Sequence, residues 1–302
     1  MTTRAPARPR SRAVAAALWV ACAALLVFLF RPAYLRFVQF QLIAAVYRGR
    51  AAEAERWLHL GADVNGRPLG SPGQDAGALN APLHGAARRG DAEMLRLLFA
   101  HGARANVDGK ASGFTTPLIE AANSGNVDAV GVLLDHGADV NGKGAFYDTA
   151  MAAAIDHADI VQLLIERGAA VNAASVMGET PLMKATSSLN VEAVRLLLGH
   201  GADVNAQDGI GRTALMIGVD RYPYNELLNQ RTWPAQSGSA ASLHSADNNL
   251  AMRAERTLAI IRLLVEHGAD PGIIDRNGQS AAGSARFLPT QVRDALQHNS
   301  TR

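Results

Sequence analysis

The sequence predicts an all-α repeat solenoid of helix-turn-helix units with β-hairpin loops, preceded by one transmembrane helix. Two observations support this fold class. The pentamer GADVN or a near-copy of it occurs six times in the 302-residue chain, and pairs of apolar residues precede the copies. Near the N-terminus, 18 consecutive residues carry no charge, amide or hydroxyl group. A motif repeated in this way is typical of stacked units, and an apolar run of this length is typical of a membrane span.

Charge is distributed unevenly along the chain. The net charge is +2, yet residues 1–39 hold six arginines and no acidic residue, which leaves 23 basic and 27 acidic residues in 40–302. A mildly acidic body gains no counterion release from a phosphate backbone, so no nucleic-acid partner is expected. The one cysteine, Cys22, excludes an internal disulfide and a metal site built from cysteines.

The apolar run 13–30 (AVAAALWVACAALLVFLF) is predicted to be a transmembrane helix that follows a basic tail, residues 1–12. At about 1.5 Å per residue the helix would be about 27 Å long, close to the thickness of the hydrocarbon core. Arg12 and Arg31 flank the run, and their long side chains can extend to the headgroups. Four arginines precede the run and two follow it closely, so the positive-inside rule places the N-terminus in the cytoplasm and the body across the membrane.

A cleaved signal peptide is the alternative to an anchor. Its cleavage site needs small residues, whereas RPAYLRF follows the run. Cleavage among the alanines around Cys22 would leave the apolar stub ALLVFLF exposed. The alanine- and arginine-rich composition and the short basic leader favour a single-pass protein of a bacterial inner membrane with its repeats on the periplasmic side. A soluble secreted or periplasmic protein remains the alternative.

The repeat contains two elements. The second element, GADVN, follows an apolar pair such as Leu97–Leu98 or Leu133–Leu134. The first element lies 21 residues upstream of most GADVN copies and reads APLHGAARRG, TPLIEAANSG or TPLMKATSSL, with the degenerate form FQLIAAVYRG at 40–49. The six copies of the second element begin at Gly61, Gly102, Gly137, Gly168, Gly201 and Gly268.

Together these elements resemble the ankyrin repeat, a unit of about 33 residues. The resemblance covers roughly 40–302 and implies about six repeats, each with an inner and an outer helix, and a C-terminal cap at 277–302. Thr116 and Thr180 are expected to cap inner helices, with proline at the first helical position. In the fourth copy YDTAMAAAIDH replaces the TPL element, and its register is uncertain by two residues.

An insertion at about 221–256 interrupts the sixth repeat. It separates the inner helix, in GRTALMIGVD, from an outer helix that is expected from about residue 257. Tyr222, Tyr224 and Trp233 lie in it. One interpretation is a partner-binding loop with aromatic anchors. The other is an insertion whose aromatic residues pack back onto the solenoid.

The resemblance implies a protein that binds a protein partner, through the concave face and the hairpin tips. We expect a membrane-tethered interaction scaffold of this kind. A binding surface of this kind requires residues that vary among the repeats. Such variation is possible at inner-helix positions that do not contribute to packing. The residues expected to be exposed there are Arg88, Arg89, Asn123, Ser124, Thr186 and Ser187.

No catalytic, cofactor or metal site is predicted, and no small-molecule ligand is expected. GIGRTA at 209–214 has the outline of a dinucleotide fingerprint, but it occupies the loop-to-helix position of a repeat and not the turn of a βαβ unit. An enzyme that uses the insertion is a remote alternative, since Glu226, His244, Asp247 and Glu255 show no recognisable spacing. Six histidines stand in repeat positions where they are expected to bond backbone: His59, His84, His101, His136, His200 and His267.

Overall fold

Antiparallel helix pairs stack side by side in two layers. The computed structural model describes residues 31–66, 81–106, 115–144, 149–223 and 240–297. The predicted transmembrane helix, 13–30, lies outside these ranges. Within them, no helix combines the length and the apolar character needed to cross a bilayer.

Each repeat contributes one helix to each layer, because inner helices pack on inner helices and outer helices on outer ones. The six pairs are followed by the expected C-terminal cap: α13 Ala281–Ser284, a 3-10 turn at Ala285–Phe287, and α14 Thr290–Gln297. The inner helices are α1 (31–47), α3 Pro82–Arg88, α5 Pro117–Ser124, α7 Ala150–Ala153, α9 Pro181–Ser187 and α11 Ala214–Asp220. The outer helices are α2 Ala51–His59, α4 Ala92–Ala100, α6 Val127–Asp135, α8 Ala158–Glu166, α10 Val191–Gly199 and α12 Ala240–Glu266.

Side-chain caps explain where the inner helices begin. The expected threonines accept a hydrogen bond from the backbone N–H three residues further on, at 3.3 Å for Thr116 and 3.4 Å for Thr180. Thr149 and Thr213 form the same cap. Each cap pairs one backbone donor that the first helical turn would otherwise leave unsatisfied. The TPL element is therefore a helix start, as predicted.

Small and apolar residues fill the space between the layers. The paired alanines of the inner helices, Ala86–Ala87 and Ala121–Ala122, are fully buried. So are outer-helix residues such as Leu98 and Leu133. The buried residues form one core that runs through every described repeat. Because a single repeat cannot cover both of its faces, this shared core makes the stability of each unit depend on its neighbours.

The fourth repeat resolves the uncertain register. Its inner helix, α7, is a single turn, and Thr149 lies eight residues before the N-cap of the outer helix, His157. The corresponding separation in the third repeat, from Thr116 to Asn126, is ten residues. The fourth copy thus lacks two residues at the end of its inner helix.

The structure corrects three sequence-based expectations. The described ranges contain no β-strand; extended pairing in them is confined to single bridge residues, as between Ile274 and Ser280. The predicted hairpins that lie within these ranges are tight turns closed by backbone hydrogen bonds, such as the bond from the N–H of Asp275 to the carbonyl of Gln279. The first inner helix begins by residue 31 and not near 40, and α12 extends back to residue 240, into the predicted insertion.

An asparagine ladder joins each repeat to the next through side-chain to backbone hydrogen bonds. The carboxamide of the last GADVN residue donates to the carbonyl of the next repeat glycine at 3.0–3.2 Å. Its oxygen accepts from the N–H two residues after that glycine at 2.7–2.9 Å. The donors of the ladder are Asn65, Asn106, Asn141, Asn172 and Asn205.

The same loop position in the first repeat is paired by a glutamine of α1. The Gln39 side chain accepts from the N–H of Asp63 at 2.9 Å and donates to the carbonyls of Asp63 and Gly66. Gln39 is buried, and its longer side chain reaches the loop from a helix and not from a preceding loop. The ladder therefore spans the stack from α1 to the loop that follows α12.

We expect Asn141→Ala to lower the free energy of unfolding by about 1–2 kcal/mol, because it removes two inter-repeat hydrogen bonds and leaves their backbone partners to water. Urea denaturation of the full chain in detergent, followed by circular dichroism, measures the change. Asn123→Ala is the matched control, since Asn123 is exposed and makes no hydrogen bond within the described residues. Equal midpoints for the two variants would contradict a stabilising ladder.

Candidate partner-binding surface

The inner-helix face carries an ion pair between neighbouring repeats. The Arg88 guanidinium donates to both carboxylate oxygens of Glu120, at 2.7 and 3.0 Å. Glu120 is only 8 % exposed, and this hydrogen bond raises the pKa of Arg88. Arg88, predicted to contact a partner, is thus already committed to holding α3 against α5.

The neighbouring predicted residues of the second and third repeats differ in their exposure and in their hydrogen bonds. Asn123 is exposed on α5. Ser124 is half-buried, and its hydroxyl donates to the carbonyl of Ala121 at 2.7 Å. Arg89 of the second repeat donates to the carbonyl of Tyr47 at 3.3 Å. Of the two exposed residues, Asn123 is thus the one that makes no hydrogen bond within the described residues.

The predicted exposure of Thr186 is wrong. Thr186 is fully buried and packs its methyl group near Gly218 of α11. Its position corresponds to the second alanine of the inner helix, whereas Ser187 and Ser188 take the two variable positions. The glycine that ends the inner helix in the second and third repeats is replaced by Leu189 in the fifth.

Leu189 adopts the left-handed backbone conformation, with φ at 57°. Gly90 and Gly125 occupy the same position in the second and third repeats, with φ at 64° and 75°. A residue with a side chain costs about 1–2 kcal/mol in this conformation. Leu189 packs against the core, which offsets part of that cost.

Ser187 and Tyr222 are held by neighbouring groups. The Ser187 hydroxyl accepts a hydrogen bond from the Arg221 guanidinium at 2.6 Å. The Tyr222 side chain is half-buried and packs against the core, in agreement with the interpretation that aromatic residues of the insertion fold back. Tyr224 and Trp233 lie outside the described residues.

Three successive inter-repeat loops have tips that share one turn geometry. In the last of them the N–H of Asp275 donates to the carbonyl of Gln279 at 2.8 Å, and the Asp275 carboxylate accepts from two further backbone N–H groups. Ser175 and Asp208 organise the two preceding tips in the same way. A short polar side chain at the start of each turn therefore fixes the backbone of the tip.

Backbone hydrogen bonds also join these tips to one another. The N–H of Gly209 donates to the carbonyl of Met177 at 2.6 Å, and the N–H of Arg276 donates to the carbonyl of Ile210 at 3.0 Å. The tips consequently stand in a row with a fixed spacing. They are the loops of the fifth repeat, the sixth repeat and the cap.

An apolar tip ridge, defined as Val176, Met177, Ile210 and Ile274, lies along this row. The side chains are 53 %, 71 %, 43 % and 62 % exposed, respectively. A protein partner can bury these exposed aliphatic side chains without paying the entropy cost of ordering a loop, because hydrogen bonds already fix the backbone that carries them. The sequence predicted binding at the hairpin tips but did not identify these residues, although SVMGE and DGIGR both place an aliphatic residue directly before the glycine of the turn.

Most of the repeat histidines bond backbone as expected. The Nδ1 atoms of His136, His200 and His267 each lie 2.8 Å from the carbonyl oxygen four residues earlier in the chain. His84 lies 3.1 Å, through Nε2, from the carbonyl of Thr115. These four residues have a structural role at helix ends and between repeats.

His59 and His101 depart from that pattern. Their ring centroids lie 5.4 Å apart in an edge-to-face arrangement. One ligand atom from each of Glu55, His59 and His101 lies within 4.8 Å of the others. These are the described residues that could hold a metal ion. Both histidines were predicted to have structural roles, and their contact, which joins two repeats, was not predicted from the sequence.

The described residues offer little that resembles a catalytic pocket. A shallow groove beside α9 and α10 is lined by Asp156, Asn190, Glu192 and Arg256 among others. Glu255, from the remote enzyme interpretation, is exposed on α12. The side chains of Glu226, His244 and Asp247 fall outside the described part of the chain. The fingerprint-like glycines of GIGRTA form the tip turn of the sixth repeat.

Comparison with known proteins identifies the repeats. A family model of ankyrin repeats in three copies matches residues 42–144 and 145–208. Comparison with curated protein sequences finds no match.

Solved structures of ankyrin repeat domains resemble the fold. The domain of Bcl-3, from the IκB protein family, aligns with a TM-score of 0.63 and 24 % identity, over 85 % of this chain and 97 % of that one. The human ASB11 domain gives 0.62 and 22 % over 86 % and 98 %, and a domain from Acinetobacter baumannii AYE gives 0.57 and 23 % over 71 % and 95 %. At these identities the likeness establishes the fold alone.

We expect Arg88→Ala to lower the free energy of unfolding by about 1 kcal/mol, because it leaves the Glu120 carboxylate buried without its cation, while the partial exposure of the guanidinium limits the loss. Arg89→Ala is the control, with a change within about 0.5 kcal/mol. Urea midpoints of the full chain measure both. A larger loss for the Arg89 variant would show that the ion pair does not stabilise the stack.

Proposed function

This chain belongs to the ankyrin-repeat family, and we propose that it is a protein–protein interaction scaffold tethered to a membrane by residues 13–30. Its partner binds across the apolar tip ridge and the adjoining inner-helix face. The observation that carries this proposal is the row of backbone-bonded tips with exposed Val176, Met177, Ile210 and Ile274.

The exposed aliphatic side chains of the tip ridge support a binding role, because they do not contribute to the buried core of the solenoid. Monomeric proteins bury most clustered large aliphatic side chains, and apolar residues grouped at one edge mark contact sites. The ridge is also pre-organised, since the turn and inter-tip hydrogen bonds fix its backbone before a partner arrives. Binding then costs less conformational entropy than it would on an unstructured loop.

Polar groups at the ends of the inner helices would supply specificity. Asn123 and Ser188 are exposed on the inner-helix face, and Arg221 is exposed next to Ser187. Mixed polar groups around an apolar centre match the usual anatomy of a protein interface. A partner with an apolar segment flanked by hydrogen-bonding groups fits this surface.

Features of α1 support the membrane tether. The helix follows directly on the apolar run 13–30 and exposes Tyr34, Phe37 and Phe40 in its first turns. The Phe37 ring also meets Trp57 edge-to-face, with centroids 5.9 Å apart. Tyrosine and tryptophan beside a membrane span favour the headgroup region, because each side chain has an apolar ring and a polar group. The arrangement fits a stack that begins at the bilayer surface.

The arginine bias supports a cytoplasmic N-terminus with the repeats across the membrane, and the membrane we propose is a bacterial inner membrane with the repeats on its periplasmic side. The second candidate is a soluble secreted or periplasmic binder released by signal cleavage. Both candidates use the same binding surface, and they differ only in whether residues 13–30 remain attached.

We expect a photo-crosslinking residue at Met177, Ile210 or Ile274 to capture one common partner in cells that produce the full chain. Met177→Asp should then lower that capture at least about fivefold, because a charge would be buried at the apolar centre of the interface. Position 252 is the control, since Met252 is comparably exposed but lies on α12. The same adduct from position 252, or none from the three tip positions, would contradict binding at the ridge.

We expect the chain to remain in the membrane pellet after a carbonate wash. Leu26→Arg should reduce that fraction, because an arginine in a spanning helix costs about 2.5–3.5 kcal/mol of insertion free energy. Leu35→Arg is the control outside the run. A mature N-terminus beyond residue 22 with the protein in the soluble fraction would instead establish the cleaved form.

A further inference from the structure

We propose that Glu55, His59 and His101 form a binding site for a divalent transition metal ion, with Zn²⁺ as the best-matched ion. The site lies on the outer-helix layer, where α2 of the first repeat packs against α4 of the second. It does not depend on the proposed function.

The helix geometry brings the three side chains together. Glu55 and His59 are four residues apart on α2, so they lie one above the other on the same face. His101 is the C-cap residue of α4. The packing of the two outer helices sets its ring against that of His59, and one ligand atom from each residue falls within 4.8 Å of the others.

The spacing is close to what a metal requires. Zinc binds imidazole nitrogen and carboxylate oxygen at about 2.0–2.2 Å, which corresponds to ligand atoms roughly 3.3–3.5 Å apart in a tetrahedron. Glu55 and His59 are exposed and His101 is half-buried. Small rotations of the two exposed side chains can therefore close the remaining distance without moving the helices.

The orientation of His101 is the second observation that points to a ligand. The histidines in the same repeat position, His136, His200 and His267, each turn Nδ1 onto their own helix at 2.8 Å. Among the described residues, neither ring nitrogen of His101 has a hydrogen-bond partner. Its ring faces His59 instead, and the Glu55 carboxylate likewise has no cationic partner in the described ranges.

The donor set selects the class of ion. Two imidazoles and one carboxylate suit Zn²⁺ and its neighbours in the transition series, whereas Ca²⁺ and Mg²⁺ prefer oxygen ligands alone. Three protein ligands leave a fourth position for water or for a donor from another molecule. A bound ion would link the first two outer helices where the Asn65 hydrogen bonds already join the loops.

The test measures Zn²⁺ binding to the full chain, purified in detergent without a histidine tag, by competition with a chromogenic chelator. We expect one Zn²⁺ per chain, and Co²⁺ should give the visible absorption of a four-coordinate complex. His59→Ala and His101→Ala should each weaken binding by more than about tenfold, since losing a ligand costs more than losing a residue that only orients one. Glu55→Gln should weaken it in the same direction.

His136→Ala and His200→Ala are the matched controls, because they occupy the His101 position in other repeats but bond their own helices. Circular dichroism without metal verifies that each variant is folded. Zn²⁺ should also raise the thermal midpoint of the wild type and not that of the His59 or His101 variant. No stoichiometric binding, or an equal loss in the control variants, would overturn the proposal.

Discussion

The hydrogen bonds from each repeat asparagine to the loop of the next unit set the register of the whole stack. An asparagine side chain offers a donor and an acceptor together, so it can pair a carbonyl and an N–H of the neighbouring loop at the same time. The pairing repeats from Asn65 to Asn205. Because the loops keep one spacing, the helices that follow them keep one spacing as well.

Both candidate sites are consequences of this regular translation. The tip ridge forms because successive turns stand side by side, and each of these loops exposes an aliphatic residue in its turn or directly before it. The Glu55–His59–His101 cluster likewise forms because the ends of α2 and α4 are held next to each other. Neither site is contained in one repeat, so each depends on inter-repeat packing.

Much of the fold was predictable from local signals. Thr116 with Pro117 marks a helix start by the chemistry of capping, and the glycine after each outer helix marks its end. The sites were harder to predict. Because Leu189 replaces the glycine that marks the end of the inner helix, the register of the fifth repeat was assigned incorrectly and buried Thr186 was predicted to be exposed. The ion pair between Arg88 and Glu120 forms between two repeats, so it is evident only from the tertiary structure. The pair Glu55 and His59 is visible in the sequence, but its meeting with His101 is a long-range contact.

The hydrogen bond between Asn205 and Gly268 shows how this fold accommodates an insertion within a repeat. It joins residues 63 positions apart in the chain with the same geometry that elsewhere joins residues about 30 apart. The extra sequence enters between an inner helix and its outer partner, away from the loops that carry the ladder. The number of residues in a repeat is thus independent of the distance between neighbouring repeats. This family member can therefore acquire new segments between the two helices of a repeat without changing the spacing of its loops.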